Sequence, residues 1–377
     1  MQQDKRYFAV VAGSLEKHAR AELEELKAEV SLEVPRGLYF SCDQETLYRV
    51  LYTSRLLQRV LMPLLNFPCH SIKYLYQQAY KNLDWTSLFT LEQSFGIDTN
   101  VSNSFTRHSL FAGQVLKDAI CDSFRAKYNQ RPNYSNKEPD LLFNLHIHNN
   151  HVSISQDLLG KSMHQRGYRQ SGHEAPLQET LAAAIIRLTG WNGETPLIDP
   201  MCGSGTLLAE ALMHYCRIPA GYLRDNSRLG YSQGFDPILW AQTVTSSNAM
   251  IRELPKGLIQ GSDISGQALE ITRMNLSPLP GSGRIVLKHS RFQDLPSLEG
   301  VTIVCNPPYG VRLESPERIK GLYNELGDFL KQKCQHSTAY VLCGDKDLVK
   351  ELRLRAHWAK SLKNGDLDTR LAKILMR

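Results

Sequence analysis

Leu197-Ile198-Asp199-Pro200-Met201-Cys202-Gly203-Ser204-Gly205-Thr206 sets a carboxylate and two glycines between a short apolar run and the helical stretch Leu207 to Tyr215. Glycine lets a backbone turn sharply and approach a ligand closely. The first turn of a helix offers unpaired N–H groups and positive potential to an anion. The pattern therefore predicts a strand, a ligand-binding turn and a helix. Taken alone, the turn is also compatible with a purely structural connection or with a nicotinamide fingerprint.

Working outward, further apolar β-runs follow at Leu258 to Gly261, Arg284 to Lys288, Val301 to Cys305 and Ala339 to Cys343, with Pro196 to Ile198 as the first. Helical stretches separate them; Ile319, Leu322, Tyr323, Leu326, Phe329 and Leu330, for example, fall on one helical face. This alternation predicts a largely parallel sheet covered by helices, closed by a hairpin turning at Asn364-Gly365. Open α/β sheets bind ligands at the C-terminal ends of their strands. Asp263, next to Ile264 at the end of the second run, can accept both ribose hydroxyls of a nucleoside, and Asp294, beyond the third, can accept an adenine amino group. With Asp199, Pro200, Cys202, Gly203, Gly205 and Thr206 they make up the expected nucleoside-cofactor site.

Asn306-Pro307-Pro308-Tyr309 follows the fourth run directly. An aniline-like amino group on adenine or guanine is a poor nucleophile, because its lone pair is delocalised into the ring. The Asn306 side-chain oxygen and the Pro307 carbonyl can accept its two N–H bonds and aim the lone pair at a methyl donor, so that catalysis is orientation and local electrostatics. Tyr309 can stack on a base taken out of its helix. A cytosine-C5 reaction would need a nucleophilic thiolate, and Cys305 sits in an apolar strand instead.

Upstream, Tyr7 to Ala12 and Leu38 to Ser41 read as strands, with helical spacing at Leu15, Ala19, Leu23 and Leu26 and again at Leu47, Val50 and Leu51. Residues 1–50 thus form a small α+β unit, and 51–157 a second one. The second ends in a hairpin, Leu141 to Ile147 and Val152 to Ile154, turning at Asn149-Asn150. Its helix carries Val115, Leu116, Ala119, Ile120 and Phe124 on one face, and Lys117, Arg125, Lys127 and Arg131 lie on and after that helix among tyrosines. Charge alone leaves a solvated face and a nucleic-acid contact both open. Residues 158–175, rich in Gly and Ser with Lys161, Arg166 and Arg169, read as a linker, and 176–377 as the α/β domain.

At 377 residues and 42% hydrophobic content the chain can bury more than one core, and a net charge of +6 permits an anionic partner without demanding one. Eight scattered cysteines without a Cys/His cluster predict no metal site. No apolar run is long enough to span a bilayer, and the N-terminus lacks signal-peptide character, so a cytoplasmic protein without a membrane partner is expected.

These residues resemble the class I amino-methyltransferases of the Asn-Pro-Pro-Tyr type. Within them the sequence is similar to the THUMP-containing RNA methyltransferases, in particular bacterial large-subunit ribosomal RNA guanine-N2 methyltransferases. The likeness extends to His164-Gln165-Arg166-Gly167-Tyr168-Arg169 and Glu174-Ala175-Pro176-Leu177-Gln178-Glu179, and so covers nearly the whole chain. The resemblance implies a C-terminal Rossmann-like methyltransferase domain behind a ferredoxin-like unit and a THUMP module. It implies S-adenosylmethionine as cofactor, cradled in part by Ala175, Pro176 and Leu177, with RNA as partner, ribosomal RNA first. Lys117, Arg125, Lys127, Arg131, Arg166 and Arg169 become expected RNA contacts, and Asn306, Pro307, Pro308 and Tyr309 the catalytic set. Guanine N2 leads adenine N6, in RNA or DNA, on resemblance only; a catalytically silent RNA-binding assembly protein is the alternative of another class.

Overall fold

Two sheets carry the chain in the computed structural model, which describes residues 5–170, 177–308, 315–365 and 367–377. Among these residues the first sheet has eight strands: β1 (Lys5–Val11), β2 (Glu29–Val34), β3 (Gly37–Cys42), β4 (Leu57–Pro68), β5 (Ser94–Ser102), β6 (Asn133–Tyr134), β7 (Leu141–His148) and β8 (His151–Asp157). Their order is β2-β3-β1-β4-β8-β7-β5-β6. Helices α1 (Glu16–Glu25) and α2 (Gln44–Thr53) belong to its first half, and α3 (Ile72–Asn82), α4 (Trp85–Leu88) and α5 (Ser109–Tyr128) to its second. The β7–β8 hairpin turns at Asn149 and Asn150, both at positive φ, the geometry that a tight two-residue hairpin needs. The two N-terminal units are not separate sheets. β4 pairs with β1 along one edge and with β8 along the other, so one continuous sheet runs through both.

The second sheet has the order β11-β10-β9-β12-β13-β15-β14, from β9 (Leu197–Asp199), β10 (Ile259–Asp263), β11 (Val286–His289), β12 (Thr302–Cys305), β13 (Thr338–Cys343), β14 (Ala356–Asn364) and β15 (Leu367–Leu375). β9 to β13 are mutually parallel, and β15 runs antiparallel to β13. Helices α6 (Glu179–Thr189), α7 (Thr206–Cys216), α8 (Pro237–Asn248), α9 (Gly266–Leu276), α10 (Pro316–Lys333) and α11 (Lys346–Glu351) complete this Rossmann-like domain. The chain reverses direction across the sheet on either side of β9, which opens a crevice above the C-terminal ends of β9, β10 and β12.

The core does not respect the domain plan expected from composition. One apolar cluster joins Val11, Leu47 and Leu51 of the first unit to Ile186, Leu212 and Ile259 of the second sheet's domain, while α3 and α5 with β5 and β7 enclose a core of their own. The stretch expected to be a linker, over its described part, sends Leu158, Leu159, Met163 and Tyr168 into the shared core. Its glycines and serines suggested solvation, but its apolar residues are buried. The region Ile218 to Gln260, to which the sequence assigned no role, forms a bridge onto α2. Trp240 meets Tyr48 and Tyr52 edge-on at 5.5 and 5.7 Å, and Tyr52 donates to Asn248 Oδ1 at 3.0 Å.

Charge is buried at the same seam. Arg166 is 1% exposed; it donates from Nε to Glu210 Oε1 at 3.4 Å and from Nη1 to the Met163 carbonyl at 2.6 Å. Arg55 donates to the carbonyls of Met213 and Ile218 and stands 3.9 Å from the other Glu210 oxygen. Removing one partner of a fully buried pair strands the other charge, at a cost of about 3–5 kcal/mol. Glu210→Ala should therefore lower the unfolding free energy by about that amount, whereas Arg20→Ala, which breaks an exposed pair with Glu24, should change it by less than about 1 kcal/mol. Urea unfolding of the two variants checks this; equal small losses would mean the seam does not depend on the pair.

Candidate functional site

A cavity of about 600 Å³ fills the crevice, walled by Pro200, Met201 and Gly203 from the turn after β9, Asp263, Ile264 and Ser265 after β10, Arg291 to Gln293 after β11, and Asn306 and Pro308 after β12. The turn is built to stay open. Gly203 has φ +54°, and a side chain there would meet nothing within 4 Å, so the missing Cβ leaves room at the wall. Gly205, at φ +81°, has the opposite reason: a Cβ would lie 2.7 Å from the Thr272 side chain of α9. Thr272 and Asn275 of α9 clasp the turn by donating to the carbonyls of Gly203 and Ser204, and Cys202 N–H donates to the Ser262 carbonyl at 2.9 Å.

Asp263 ties the turn to β10. Its Oδ2 accepts the Gly203 N–H and its Oδ1 the Ser265 N–H, both at 2.9 Å. Each carboxylate oxygen keeps lone-pair capacity for a further donor. Asn306 supplies the second polar feature. Its Oδ1 is buried and, among the described residues, has no hydrogen-bond partner, although most buried acceptors are satisfied. An orphan acceptor on a cavity wall fits an N–H brought by a ligand.

The other expected site residues divide. Pro200, Gly203, Asp263 and Ile264 reach the wall, as do Asn306 and Pro308. Asp199 does not: it is 1% exposed and its Oδ1 accepts the Met201 N–H at 3.1 Å, so it shapes the turn from below. Cys202, Thr206 and Pro307 are buried behind the wall, and Leu177 borders a different cavity. Asp294 is exposed and off the wall, because the single 3-10 turn Phe292–Asp294 buries Phe292 and rotates the carboxylate outward. Phe292, Gln293, Leu322 and Glu325 stand there instead, residues for which the sequence offered no signal beyond the apolar face of α10. Ala175, Pro176 and Tyr309 lie outside the described residues. Cys305 is fully buried, and burial holds its thiol well above the ordinary range, which suits a core residue and not a nucleophile.

Of the expected RNA contacts, Arg166 is corrected: it is interior and its donors are spent on Glu210, Met163 and Arg55. Arg169 is largely an internal clamp, donating to Glu179 at 3.0 Å and to the Leu177 carbonyl and Thr206 Oγ1 at 3.1 Å. Lys117, Arg125 and Lys127 stand on α5, and Arg131 follows it. Lys117 lies over the Tyr134 ring and Lys127 over Tyr128, each at 5.3 Å, while Arg125 pairs with Asp122. Arg125 and Arg131 also line a groove of about 440 Å³ between α3 and α5, with Lys73 and the carboxylates Asp118 and Asp122. Among the described residues no cluster of metal-ligating side chains occurs, and no helix is long and apolar enough to cross a membrane.

Burial pushes the Asp199 carboxyl up to about 8; the Met201 N–H opposes the shift and the nearby Asp263 charge adds to it. The unfolded value is about 3.9. A folded value raised above the unfolded one means this group's stabilising contribution is full below about pH 4 and is lost as pH rises toward 8. Asp199→Asn should remove that decline, so that its stability relative to wild type improves steadily from pH 4.5 to 8.5. Urea unfolding across that range is the check; parallel curves would show that Asp199 is ionised at little cost.

Comparison with known proteins agrees with this geometry. The family model for an RMKL-like methyltransferase domain matches residues 166–373, a THUMP domain matches 69–157, and an RlmL ferredoxin-like domain matches 6–61. A protein of Synechocystis sp., provisionally named an RNA methyltransferase, is 37% identical over 369 residues, covering 97% of this chain and 96% of that protein. The crystal structure of SMU.472, provisionally described as a methyltransferase and complexed with SAH, superposes with TM-score 0.89 at 25% identity over 100% of this chain and 99% of that one. A Listeria monocytogenes structure described as a predicted N6-adenine-specific DNA methylase shares the fold, with TM-score 0.87 at 24% identity, covering 100% and 97%. The chain therefore belongs to the RMKL-like methyltransferase family, as an S-adenosylmethionine-dependent methyltransferase with its catalytic domain behind a ferredoxin-like unit and a THUMP domain.

Proposed function

We propose that this enzyme methylates an exocyclic base amino group in RNA, with guanine N2 of large-subunit ribosomal RNA as the target. The observation that carries the amino-group assignment is the buried, unpartnered Asn306 Oδ1 on the cavity wall. The RNA assignment draws support from the THUMP domain and from the name of the Synechocystis relative. The choice of guanine N2 rests on sequence resemblance.

The residues present fit the cofactor. Asp263 keeps acceptor capacity for ribose hydroxyls, and the bare Cα of Gly203 gives the ligand room beside the turn. Bound S-adenosylmethionine supplies a methyl group made electrophilic by its sulfonium. Asn306 Oδ1 accepts one amino N–H, draws the nitrogen toward tetrahedral geometry and fixes the direction of its lone pair. The Pro307 carbonyl is the proposed acceptor for the other N–H. As the new N–C bond forms at the expense of the methyl's bond to sulfur, which leaves as the neutral thioether of S-adenosylhomocysteine, positive charge grows on nitrogen and both acceptors bind it more strongly, until one proton leaves to solvent. Tyr309 is the proposed stacking partner of a flipped base, and Lys117, Arg125, Lys127 and Arg131 the proposed phosphate contacts.

Two outcomes test this. Asp263→Ala should weaken binding of S-adenosylhomocysteine by at least about tenfold, the effect of losing charge-assisted hydrogen bonds, whereas Asn306→Ala should bind it normally and lose turnover. Calorimetry beside a single-turnover assay on ribosomal RNA separates the roles; equal loss of binding would overturn the division.

The substrate is tested separately. Nucleoside mass spectrometry of ribosomal RNA from cells lacking the protein should show an unmethylated guanine, and replacing Lys117, Arg125 and Lys127 by Ala should flatten the salt dependence of RNA binding by about 0.9 per lost phosphate contact. Unchanged ribosomal RNA together with an unchanged salt slope would sink the assignment.

A further inference from the structure

A second cavity, of about 810 Å³, opens beside the catalytic one. Its walls come from parts of the chain that are remote in sequence: Lys161 to Arg169 with Leu177 to Glu179, Leu223 to Asp225 at the start of the bridge to α2, and Asn364, Gly365 and Leu367 of the β14–β15 hairpin. That tip stands at the catalytic edge, because Arg370 of β15 pairs with Cys343, the last residue of β13, and β13 runs parallel to β12, which ends just before Asn306. Arg169, on the wall of this second cavity, bonds Thr206, the first residue of the helix after the glycine turn.

The chemistry of this cavity is set by Arg224, which the catalytic mechanism does not use. It is 6% exposed; its Nε donates to Asn226 Oδ1 at 2.8 Å and an Nη2 hydrogen goes to the Leu51 carbonyl. Its Nη1 is buried without a partner, and among the described residues no carboxylate lies within salt-bridge distance of it. A guanidinium removed from water without a counter-charge is strongly unfavourable, and burial together with the charge of Arg166 pulls its pKa down to about 9. Arg169 repeats the pattern on a smaller scale, since its Nη1 is also buried and unpartnered. Of the cationic side chains around the walls, Lys161 pairs with Asp225 and Glu138, Arg166 with Glu210 and Arg169 with Glu179, which leaves Arg224 as the one without a carboxylate partner among the described residues.

We propose that this cavity takes a backbone phosphate of the RNA strand that carries the target base. The inference rests on the RNA reading above and adds a site to it. Guanidinium forks with unspent N–H groups match phosphate oxygens, and an arriving phosphate supplies the counter-charge that Arg224 lacks. The position suits a nucleotide adjacent to one whose base has entered the catalytic cavity.

The test uses the full-length protein, purified large-subunit ribosomal RNA and, separately, tripolyphosphate. Arg224→Gln should weaken RNA binding about tenfold and lower its salt slope by about 1, the signature of one lost phosphate contact. Asp225→Asn, an exposed change that removes one of the two wall carboxylates, should tighten it by about twofold to threefold. Both variants should bind S-adenosylhomocysteine as wild type does. Wild-type RNA affinity and slope in both variants would overturn the proposal while leaving the RNA reading intact. If wild type fails to bind RNA but tripolyphosphate raises its melting temperature in an Arg224-dependent way, the cavity serves a free polyphosphate, and the RNA source falls together with the RNA reading. Should circular dichroism show Arg224→Gln unfolded, Asp225→Asn decides alone, and unchanged RNA affinity in that variant overturns the proposal.

Discussion

Glu210 sits in the middle of α7 with no solvent contact, and two arginines from different parts of the chain must come to it. Arg166 approaches from the segment that follows the first sheet, and Arg55 from the end of α2. A buried carboxylate left alone is costly, so the chain between Asp157 and Arg169 has little choice of path. Asp157, itself buried, pairs with Arg59 and accepts the N–H groups of Leu159 and Gly160, which fixes the exit from β8. Hydrophobic residues of equal volume would hold such a seam at least as tightly. What the ion pairs add is direction, because Arg166 and Arg55 must both be brought to the same buried carboxylate.

That seam makes the THUMP and catalytic parts a single piece. The first sheet is continuous from β2 to β6, the shared apolar cluster welds its first half to α6 and α7, and the Trp240 bridge clamps α2 from the other side. The groove between α3 and α5 is thereby held at a fixed offset from Asn306. On the proposed reading, a substrate is selected by the distance between its gripped region and its target base as much as by contacts at either end. A flexible linker would have forfeited that ruler.

The catalytic edge was legible in the sequence because its chemistry is local. A glycine turn between a strand and a helix, a carboxylate ending the next strand and Asn-Pro-Pro ending the fourth all owe their positions to neighbours within a few residues. Legibility failed where the partner is distant. Arg166 reads as a solvated linker cation until Glu210, 44 residues on, is brought to it. Asp199 and Asp294 carry the right functional group, but one faces inward and the other outward, and neither fact follows from composition. The fusion of the two N-terminal units was equally hidden, since it depends on β4 pairing with β8 across most of the THUMP region.

The unpartnered Asn306 oxygen also bears on how the enzyme divides its binding energy. Among the described residues no protein group donates to this oxygen, so an incoming ligand N–H relieves it without first displacing a protein donor. Relief in the ground state alone would tighten substrate binding and leave the rate unchanged. On the proposed reading, the target amino nitrogen is nearly neutral and planar before transfer and cationic as the new bond forms. Its N–H groups become stronger donors along that path, so the same oxygen gains more in the transition state than in the bound substrate. Because the oxygen is already oriented, no reorganisation is required at the moment of reaction. An acceptor satisfied by a neighbouring side chain in the free enzyme would have to exchange partners during catalysis, and the differential would shrink accordingly.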